Sequence, residues 1–188
     1  MNPARHLVLV GPMGAGKTSI GRCLARHFDL PFVDTDHEIE SRTGAAVPMI
    51  FECEGEAGFR ARERDVLSGL LAGPASVMAT GGGIVLDPAN REMLAAQGHV
   101  VHLRADVPTQ LARLARDRSR PLLARGDREA TLRRLAGERE PLYAAVADFA
   151  FDTRHLSAIE AARELAAMLE ARWQRPAGMQ PRRAEPAA

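Results

Sequence analysis

The chain has 188 residues, of which 46% are hydrophobic and 26% are charged, a composition typical of one globular domain and not of a disordered chain. The formal net charge is +1 and aromatic residues make up 4% of the chain, which argues against a general nucleic-acid binder. The longest apolar run near the N-terminus, Leu7 to Val10, is far shorter than the roughly 18 residues of a membrane span. We therefore expect a cytoplasmic protein with no nucleic-acid or membrane partner.

Short apolar runs alternate along the chain with segments of helical periodicity. The predicted strands cover residues 6–10, 32–33, 76–79, 99–103 and 149–151, and the predicted helices cover 18–28, 55–71, 88–97, 108–114 and 157–173. This alternation favours an α/β fold, with a parallel sheet covered by helices on both faces. We expect residues 1–173 to form one domain and residues 174–188, with three Pro and no apolar period, to form a flexible tail.

A phosphate-binding loop is indicated between the first strand and the first helix. Residues 11–18, GPMGAGKT, match G-x-x-x-x-G-K-[ST], in which backbone N–H groups surround phosphates, the Lys reaches the outer phosphates and the Ser or Thr binds Mg²⁺. The predicted nucleotide contacts are Gly14, Ala15, Gly16, Lys17, Thr18 and Ser19. Lys17 is the only Lys in the chain, so the N-K-x-D box that reads guanine is excluded and a small-molecule kinase is favoured.

Two further features suggest the chemistry of a kinase. Asp34 and Asp36 follow a predicted strand, and in extended geometry both carboxylates would face the ligand crevice of a parallel sheet. One would help to hold Mg²⁺ and the other would accept a proton from a hydroxyl nucleophile. The alternative interpretation is a turn and a helix cap. Three glycines, 81–83, end the next strand, which indicates either close approach to a ligand or a plain turn.

Arg60 belongs to a helical segment in which Phe59 is apolar. If Phe59 faces the core, Arg60 lies about 100° around the helix and reaches a cleft. Glu63, one turn later, would then orient the guanidinium. The alternative is a solvated surface arginine.

Taken together, these motifs resemble the shikimate kinase family. The matching segments are GPMGAGKTSIG, Asp34-Thr35-Asp36, IFECEGEAGFR, ATGGG, RPLL at 120–123 and ERxPLY at 138–143. The resemblance implies a P-loop NTPase fold of the nucleoside-monophosphate-kinase type, with a five-stranded parallel sheet, a substrate-binding region at 36–64 and a lid at 116–127. It also implies Mg²⁺-assisted phosphorylation of the 3-hydroxyl of shikimate by ATP, on the route to chorismate and the aromatic amino acids.

The resemblance assigns catalytic roles by position. Asp36 resembles the carboxylate that binds and activates the substrate hydroxyl, and Asp34 resembles the one near Mg²⁺, together with Thr18. With Lys17 and Asp36, Arg120 completes the expected catalytic set, because it resembles the lid arginine that meets the transferring phosphoryl group.

The resemblance also assigns binding roles. Arg60 and Arg139 resemble the pair that holds the shikimate carboxylate, and Gly81 and Gly82 the backbone donors to the substrate. Arg113 resembles the residue beside the adenine. A second adenine contact is ambiguous, with Arg154 and His155 as candidates.

Two alternatives stay open at this point. Another small-molecule kinase, such as a gluconate kinase, would share the loop and the lid. A nucleotide-responsive module without turnover is a second alternative, although the full set of catalytic side chains argues against it. We expect a monomer.

Overall fold

Five strands run parallel in one sheet. The structure is a computed structural model that describes residues 4–115, 117, 123 and 126–174. The strands are β1 (His6–Val10), β2 (Phe32–Asp34), β3 (Val77–Ala79), β4 (Gly98–Arg104) and β5 (Phe149–Asp152). Their spatial order is β2-β3-β1-β4-β5, and all neighbouring pairs are parallel. This confirms the predicted α/β class and parallel sheet.

Helices cover both faces of the sheet. They are α1 (Lys17–Phe28), α2 (Thr35–Thr43), α3 (Val47–Ala72), α4 (Pro88–Gln97), α5 (Val107–Leu114), α6 (Arg128–Val146) and α7 (Ala158–Arg172), with a 3-10 turn at Ile84–Leu86. The predicted cap of the last helix is present, because Ser157 and Glu160 form a capping box. The sheet places the loops after β1, β2 and β3 at one edge, where parallel sheets bind ligands.

The central strand β1 is buried on both sides. Leu7 and Leu9 pack into the core formed with α1 and α7, whereas Val8 and Val10 pack into the core formed with α3, α4 and α6. This alternation follows from the two-residue period of a strand. The loop that follows β1 is therefore attached to a central strand whose five residues are all buried.

The structure corrects the prediction around the third helix. All five strands and four of the five predicted helices agree with the sequence pattern within one residue, but α3 begins at Val47 rather than at Gly55. Gly55 has φ 69° and ψ −175°, so the helix kinks there. The sequence pattern places the start of the helix at Gly55, whereas in the structure Gly55 interrupts a helix that has already begun. The pattern also misses α2 and α6 as helices.

Helices α2 and α3 enclose a small core of their own, made of Ile39, Ile50, Phe59 and Val66. The Glu40 carboxylate accepts a hydrogen bond from the Val47 N–H at 2.9 Å, which joins the end of α2 to the start of α3. This unit corresponds to the predicted substrate-binding region at 36–64.

Parts of two predicted segments lie outside the described residues. Of the predicted lid, 116–127, the structure describes Asp117, Leu123, Gly126 and Asp127; Arg120 lies outside. Of the predicted tail, it describes Gln174 alone. Across residues 4–115, 117, 123 and 126–174, no helix combines the length and the apolar character needed to cross a bilayer.

Candidate active site

A cleft of about 570 Å³ opens at the carboxyl ends of β1, β2 and β3. It brings together most of the residues predicted to form the site. Those that line it are Gly14, Gly16, Lys17, Thr18, Ser19, Asp34, Asp36, Arg60, Gly81, Gly82 and Arg139. Segments as distant in sequence as the phosphate-binding loop and α6 therefore share one cavity.

The phosphate-binding loop is held by its glycines and by its lysine. Gly11 has φ 140°, and a Cβ there would lie 2.3 Å from the Leu103 carbonyl oxygen, so only glycine fits this close approach. The Lys17 Nζ donates hydrogen bonds to the carbonyls of Gly11 and Pro12, both at 2.8 Å. Helix α1 starts at Lys17 and directs its positive end at the loop. The loop therefore lies at the N-terminus of a helix, the position that favours an anion.

Two residues predicted to bind the nucleotide do not line the cleft. Ala15 is fully buried in the core beside α1. The Arg113 guanidinium donates to the Gly14 carbonyl at 3.0 Å and to the Thr153 carbonyl at 2.7 Å. It therefore ties the phosphate-binding loop to the segment between β5 and α7. That segment carries both candidates for the second adenine contact, Arg154 and His155.

Asp34 links the phosphate-binding loop to α2. The Thr18 hydroxyl donates to Asp34 Oδ2 at 2.8 Å, and Asp34 Oδ1 accepts the Asp36 N–H at 3.2 Å as the N-cap of α2. The extended geometry predicted for Asp34 and Asp36 is therefore wrong: Asp36 lies in the first turn of a helix, as the helix-cap interpretation had it. Both side chains nevertheless line the same cleft.

The three glycines after β3 leave room for charged side chains. A Cβ at Gly81 would lie 2.6 Å from Asp36 Oδ1 and 2.8 Å from Glu63 Oε1. A Cβ at Gly83 would lie 2.3 Å from Arg60 Nη2. Close approach of the protein's own side chains therefore explains Gly81 and Gly83, whereas a Cβ at Gly82 would meet nothing nearer than 3.7 Å; the predicted approach to a ligand stays a prediction.

The Gly81 N–H does not point into the cleft, contrary to the expectation for a substrate donor. It donates to the hydroxyl of Thr35 at 3.0 Å, and Thr35 is fully buried. The turn formed by Gly81, Gly82 and Gly83, called the glycine turn below, is thus anchored to the start of α2.

Arg60 occupies the position that the helical spacing predicts. Phe59 is buried, while Arg60 reaches the cleft and donates from Nη1 to Glu63 Oε2 at 2.7 Å. Its Nη2 donates to the exposed Glu56 at 3.0 Å. The orienting role predicted for Glu63 is confirmed. Burial raises the pKa of Glu63 to about 7, against the opposing effect of the Arg60 charge.

A second guanidinium enters the cleft from α6. Arg139 is only 6% exposed. In the part of the chain that the structure describes, neither Arg139 Nε nor Arg60 Nε has a hydrogen-bond partner. A planar anion such as a carboxylate can accept two parallel hydrogen bonds from one guanidinium. Two arginines in one cleft, Arg139 buried and Arg60 partly buried, are therefore suited to an acidic small molecule.

Sequence reasoning gave no role to Thr35 or Tyr143. The Tyr143 hydroxyl donates to the Gly82 carbonyl, on the glycine turn. One signal was available, because Tyr143 is the only Tyr of the chain and lies four residues after Arg139, on the same face of a helix.

Comparison with known proteins identifies a single family. A family model described as shikimate kinase matches residues 13–170. A shikimate kinase of Xanthomonas oryzae pv. oryzae is 54% identical over 173 residues, which cover 92% of this chain and 96% of the relative. A shikimate kinase of Stenotrophomonas maltophilia is 53% identical over 175 residues, which cover 93% and 97%.

Solved structures agree with this similarity. A shikimate kinase from Acinetobacter baumannii, in complex with shikimate, superposes with a TM-score of 0.87 at 46% identity, over 89% of this chain and 94% of that one. A shikimate kinase from Bacteroides thetaiotaomicron superposes with a TM-score of 0.82 at 31% identity, over 88% and 98%. The fold is that of these P-loop enzymes.

Proposed function

The chain belongs to the shikimate kinase family, and we propose that it transfers the γ-phosphoryl group of ATP to the 3-hydroxyl of shikimate, on the route to chorismate and the aromatic amino acids. The observation that carries the proposal is the cleft itself. Its walls combine a phosphate-binding loop, two aspartates at the start of α2 and two arginines, Arg60 and Arg139. That set matches a phosphoryl donor, a hydroxyl nucleophile and an acidic acceptor.

The nucleotide side of the mechanism rests on the loop and α1. The N–H groups at the start of α1 and the Nζ of Lys17 bind the phosphates of ATP and stabilise the charge that develops on the transferring group. In the structure Lys17 is already held at the loop by two carbonyls. We propose that Ser19 and Arg113 also contact the nucleotide. Arg120 lies outside the described residues, and its role as the lid arginine stays a prediction.

Thr18 and Asp34 suit Mg²⁺. Their side chains supply two hard oxygen atoms, 2.8 Å apart, in the wall of the cleft, and oxygen donors of this kind are the ones that Mg²⁺ prefers. When bound, Mg²⁺ supplies neutralisation of phosphate charge. The hydrogen bond between Thr18 and Asp34 keeps both oxygen atoms at one point beside the phosphate-binding loop.

The acceptor side rests on Asp36, Arg60, Arg139 and the glycine turn. Asp36 accepts the proton of the attacking hydroxyl, because its carboxylate faces the cleft beside Gly81. Arg60 and Arg139 hold the carboxylate of shikimate, since both line the cleft and supply two guanidinium groups to it. Gly82, also in the wall of the cleft, is the backbone contact of this proposal. A monomeric state and a cytoplasmic location stay predictions.

Release of ADP, measured by a coupled assay with shikimate, with gluconate and without acceptor, tests the proposed activity. We expect release that depends on shikimate alone. Release that depends on gluconate instead would replace the proposal with the other small-molecule kinase. Release without either acceptor would contradict a role for the acceptor side of the cleft.

Asp36→Asn tests the proton acceptor. Loss of a general base typically lowers kcat by about 10²- to 10⁴-fold, and we expect this with the KM for ATP unchanged. Asp65→Asn is the matched control, because Asp65 is an exposed residue of α3 and should change neither constant. Turnover close to that of the control would remove Asp36 from the mechanism.

Arg139→Lys tests recognition of a carboxylate. The change keeps the charge but loses the paired N–H groups, so we expect the KM for shikimate to rise about ten- to a hundredfold, with the KM for ATP unaffected. Arg133→Lys is the control, because Arg133 lies on the same helix but is exposed and paired with Glu129. Equal behaviour of the two variants would mean that the cleft does not bind a carboxylate through Arg139.

A further inference from the structure

The only tyrosine of the chain joins two parts of the acceptor side. Tyr143 is 1% exposed, and its hydroxyl donates to the Gly82 carbonyl. Arg139 precedes it by one turn on α6 and enters the same cleft. We propose that Tyr143 is a positioning residue, which fixes the glycine turn relative to Arg139 and so sets the geometry in which the acceptor is held. The inference rests on the proposed function, because Gly82 and Arg139 matter together only if the acceptor lies between them.

The glycine turn depends on hydrogen bonds for its position, because glycines have no side chains to pack. On one side, the Gly81 N–H donates to Thr35 at 3.0 Å. Within the turn, Ile84 N donates to the Gly81 carbonyl at 3.2 Å, and Leu86 N to the Gly83 carbonyl at 2.9 Å. Tyr143 supplies the bond from the other side, on the peptide between these two. Loss of its hydroxyl would remove the hydrogen bond between the turn and α6 and leave the bond from Gly81 to Thr35 of α2.

The hydroxyl of Tyr143 is well suited to be a permanent donor. Burial raises the pKa of Tyr143 to about 12, against the opposing effect of the Arg139 charge, so the hydroxyl keeps its proton at any pH at which the enzyme works. The ring is held separately, because it packs in the core with Leu67 and Leu94 and lies against the ring of His102, with centroids 5.0 Å apart. The ring therefore stays in place when only the hydroxyl is removed.

Tyr143→Phe is the first test. A buried carbonyl that loses its donor is costly, and here the turn can relieve that cost only by moving. We expect kcat/KM for shikimate to fall about tenfold, mainly through KM, while the KM for ATP stays within about twofold of wild type. Trp173→Phe is the control, because it removes a comparable bond, from Trp173 Nε1 to the Ala4 carbonyl at 2.9 Å, at the opposite end of the sheet. It should lower thermal stability and leave both KM values unchanged.

A second measurement does not depend on any substitution. Growth with 3-fluorotyrosine labels Tyr143 alone, since the chain has one Tyr, and gives one ¹⁹F resonance. We expect shikimate to shift this resonance saturably, at concentrations that match its KM, and a non-hydrolysable ATP analogue alone to leave it in place. If the Tyr143→Phe variant does not fold, this titration of the wild-type protein tests the positioning role of Tyr143 by itself.

The outcomes separate the inference from the function. Wild-type protein that does not use shikimate would contradict the proposed function. Wild-type protein that uses shikimate, together with a Tyr143→Phe variant that loses only thermal stability, would overturn the positioning role. A ¹⁹F resonance that does not respond to shikimate would overturn it as well.

Discussion

Gly83→Ala tests whether the position of the Arg60 guanidinium depends on the absence of a side chain at residue 83. Gly83 has φ −98° and ψ 0°, which alanine can adopt. The added Cβ would lie 2.3 Å from Arg60 Nη2, 2.4 Å from Nη1 and 2.5 Å from Cζ. Because non-bonded atoms are most stable at about 3.5–4.0 Å, the two groups must separate by about 1 Å. The guanidinium is the end of a flexible side chain, so we expect Arg60 to move rather than the backbone.

The expected consequence is a selective loss in acceptor binding. A displacement of about 1 Å can cost about 10²-fold in rate, and we expect kcat/KM for shikimate to fall by about ten- to a hundredfold. The KM for ATP should stay within about twofold, because Arg60 lies on the acceptor side. The free energy of unfolding should change by no more than about 1 kcal/mol, since the backbone conformation suits alanine. Steady-state kinetics and urea denaturation measure the two effects separately.

Two further glycines serve as controls. At Gly137, in α6, an added Cβ meets nothing within 4 Å, so Gly137→Ala should stabilise the protein by up to about 1 kcal/mol with unchanged kinetics. At Gly11 the Cβ would strike the Leu103 carbonyl at φ 140°, so Gly11→Ala should destabilise the phosphate-binding loop. The reasoning would be refuted if Gly83→Ala left the KM for shikimate unchanged, or if it lost several kcal/mol of stability as Gly11→Ala should.

Three other substitutions test separate parts of the cleft. Arg113→Lys should raise the KM for ATP several-fold and spare the KM for shikimate, because lysine has one nitrogen in place of the two, Nη1 and Nη2, that donate to the Gly14 and Thr153 carbonyls; an effect on the KM for shikimate alone would contradict this. Thr35→Val should lower the free energy of unfolding by about 1–3 kcal/mol, since the Gly81 N–H loses its acceptor, and an unchanged urea midpoint would count against that bond. The pKa of Glu63 is raised by burial from 4.5 to about 7, so the folded state binds more protons than the unfolded state between these values and stability falls as pH rises through that window. Glu63→Gln removes this dependence, and its stability relative to wild type should therefore increase between pH 5 and pH 8; a constant difference would show that Glu63 does not titrate there.

The sheet could be predicted because each strand is an apolar run between turn residues. His6–Val10, for example, is bounded by Gly11 and has the same limits in the structure. The sequence pattern misses α6 because a buried arginine, Arg139, interrupts the buried series Leu132, Leu135, Tyr143 and Val146, and because Pro141 lies inside the helix. It misses α2 because that helix buries only Thr35 and Ile39 among its nine residues. Tertiary packing, not an apolar period, defines such helices.

The site could be predicted as a set of residues but not as a geometry. Lys17, Arg60 and Glu63 follow from local spacing, because a helix fixes how neighbours three and four positions apart meet. The bond from Tyr143 to Gly82 joins residues 61 positions apart, and no local pattern contains it. The glycine turn was recognised as a close approach, but its neighbours in the structure are side chains of the same protein, Asp36, Glu63 and Arg60.

The Asp34-Thr35-Asp36 segment shows why the error about extended geometry matters for the chemistry. In a strand, Thr35 would point away from both aspartates. Because a helix starts at Thr35, successive side chains turn by about 100° and the three side chains point in different directions. Asp34 accepts a bond from Thr18 on the nucleotide side, Thr35 holds Gly81 on the acceptor side, and Asp36 faces the cleft between them. The helix start after β2 thus places Asp36, the proposed proton acceptor, in the cleft between the residues that contact the phosphate-binding loop and those that contact Gly81.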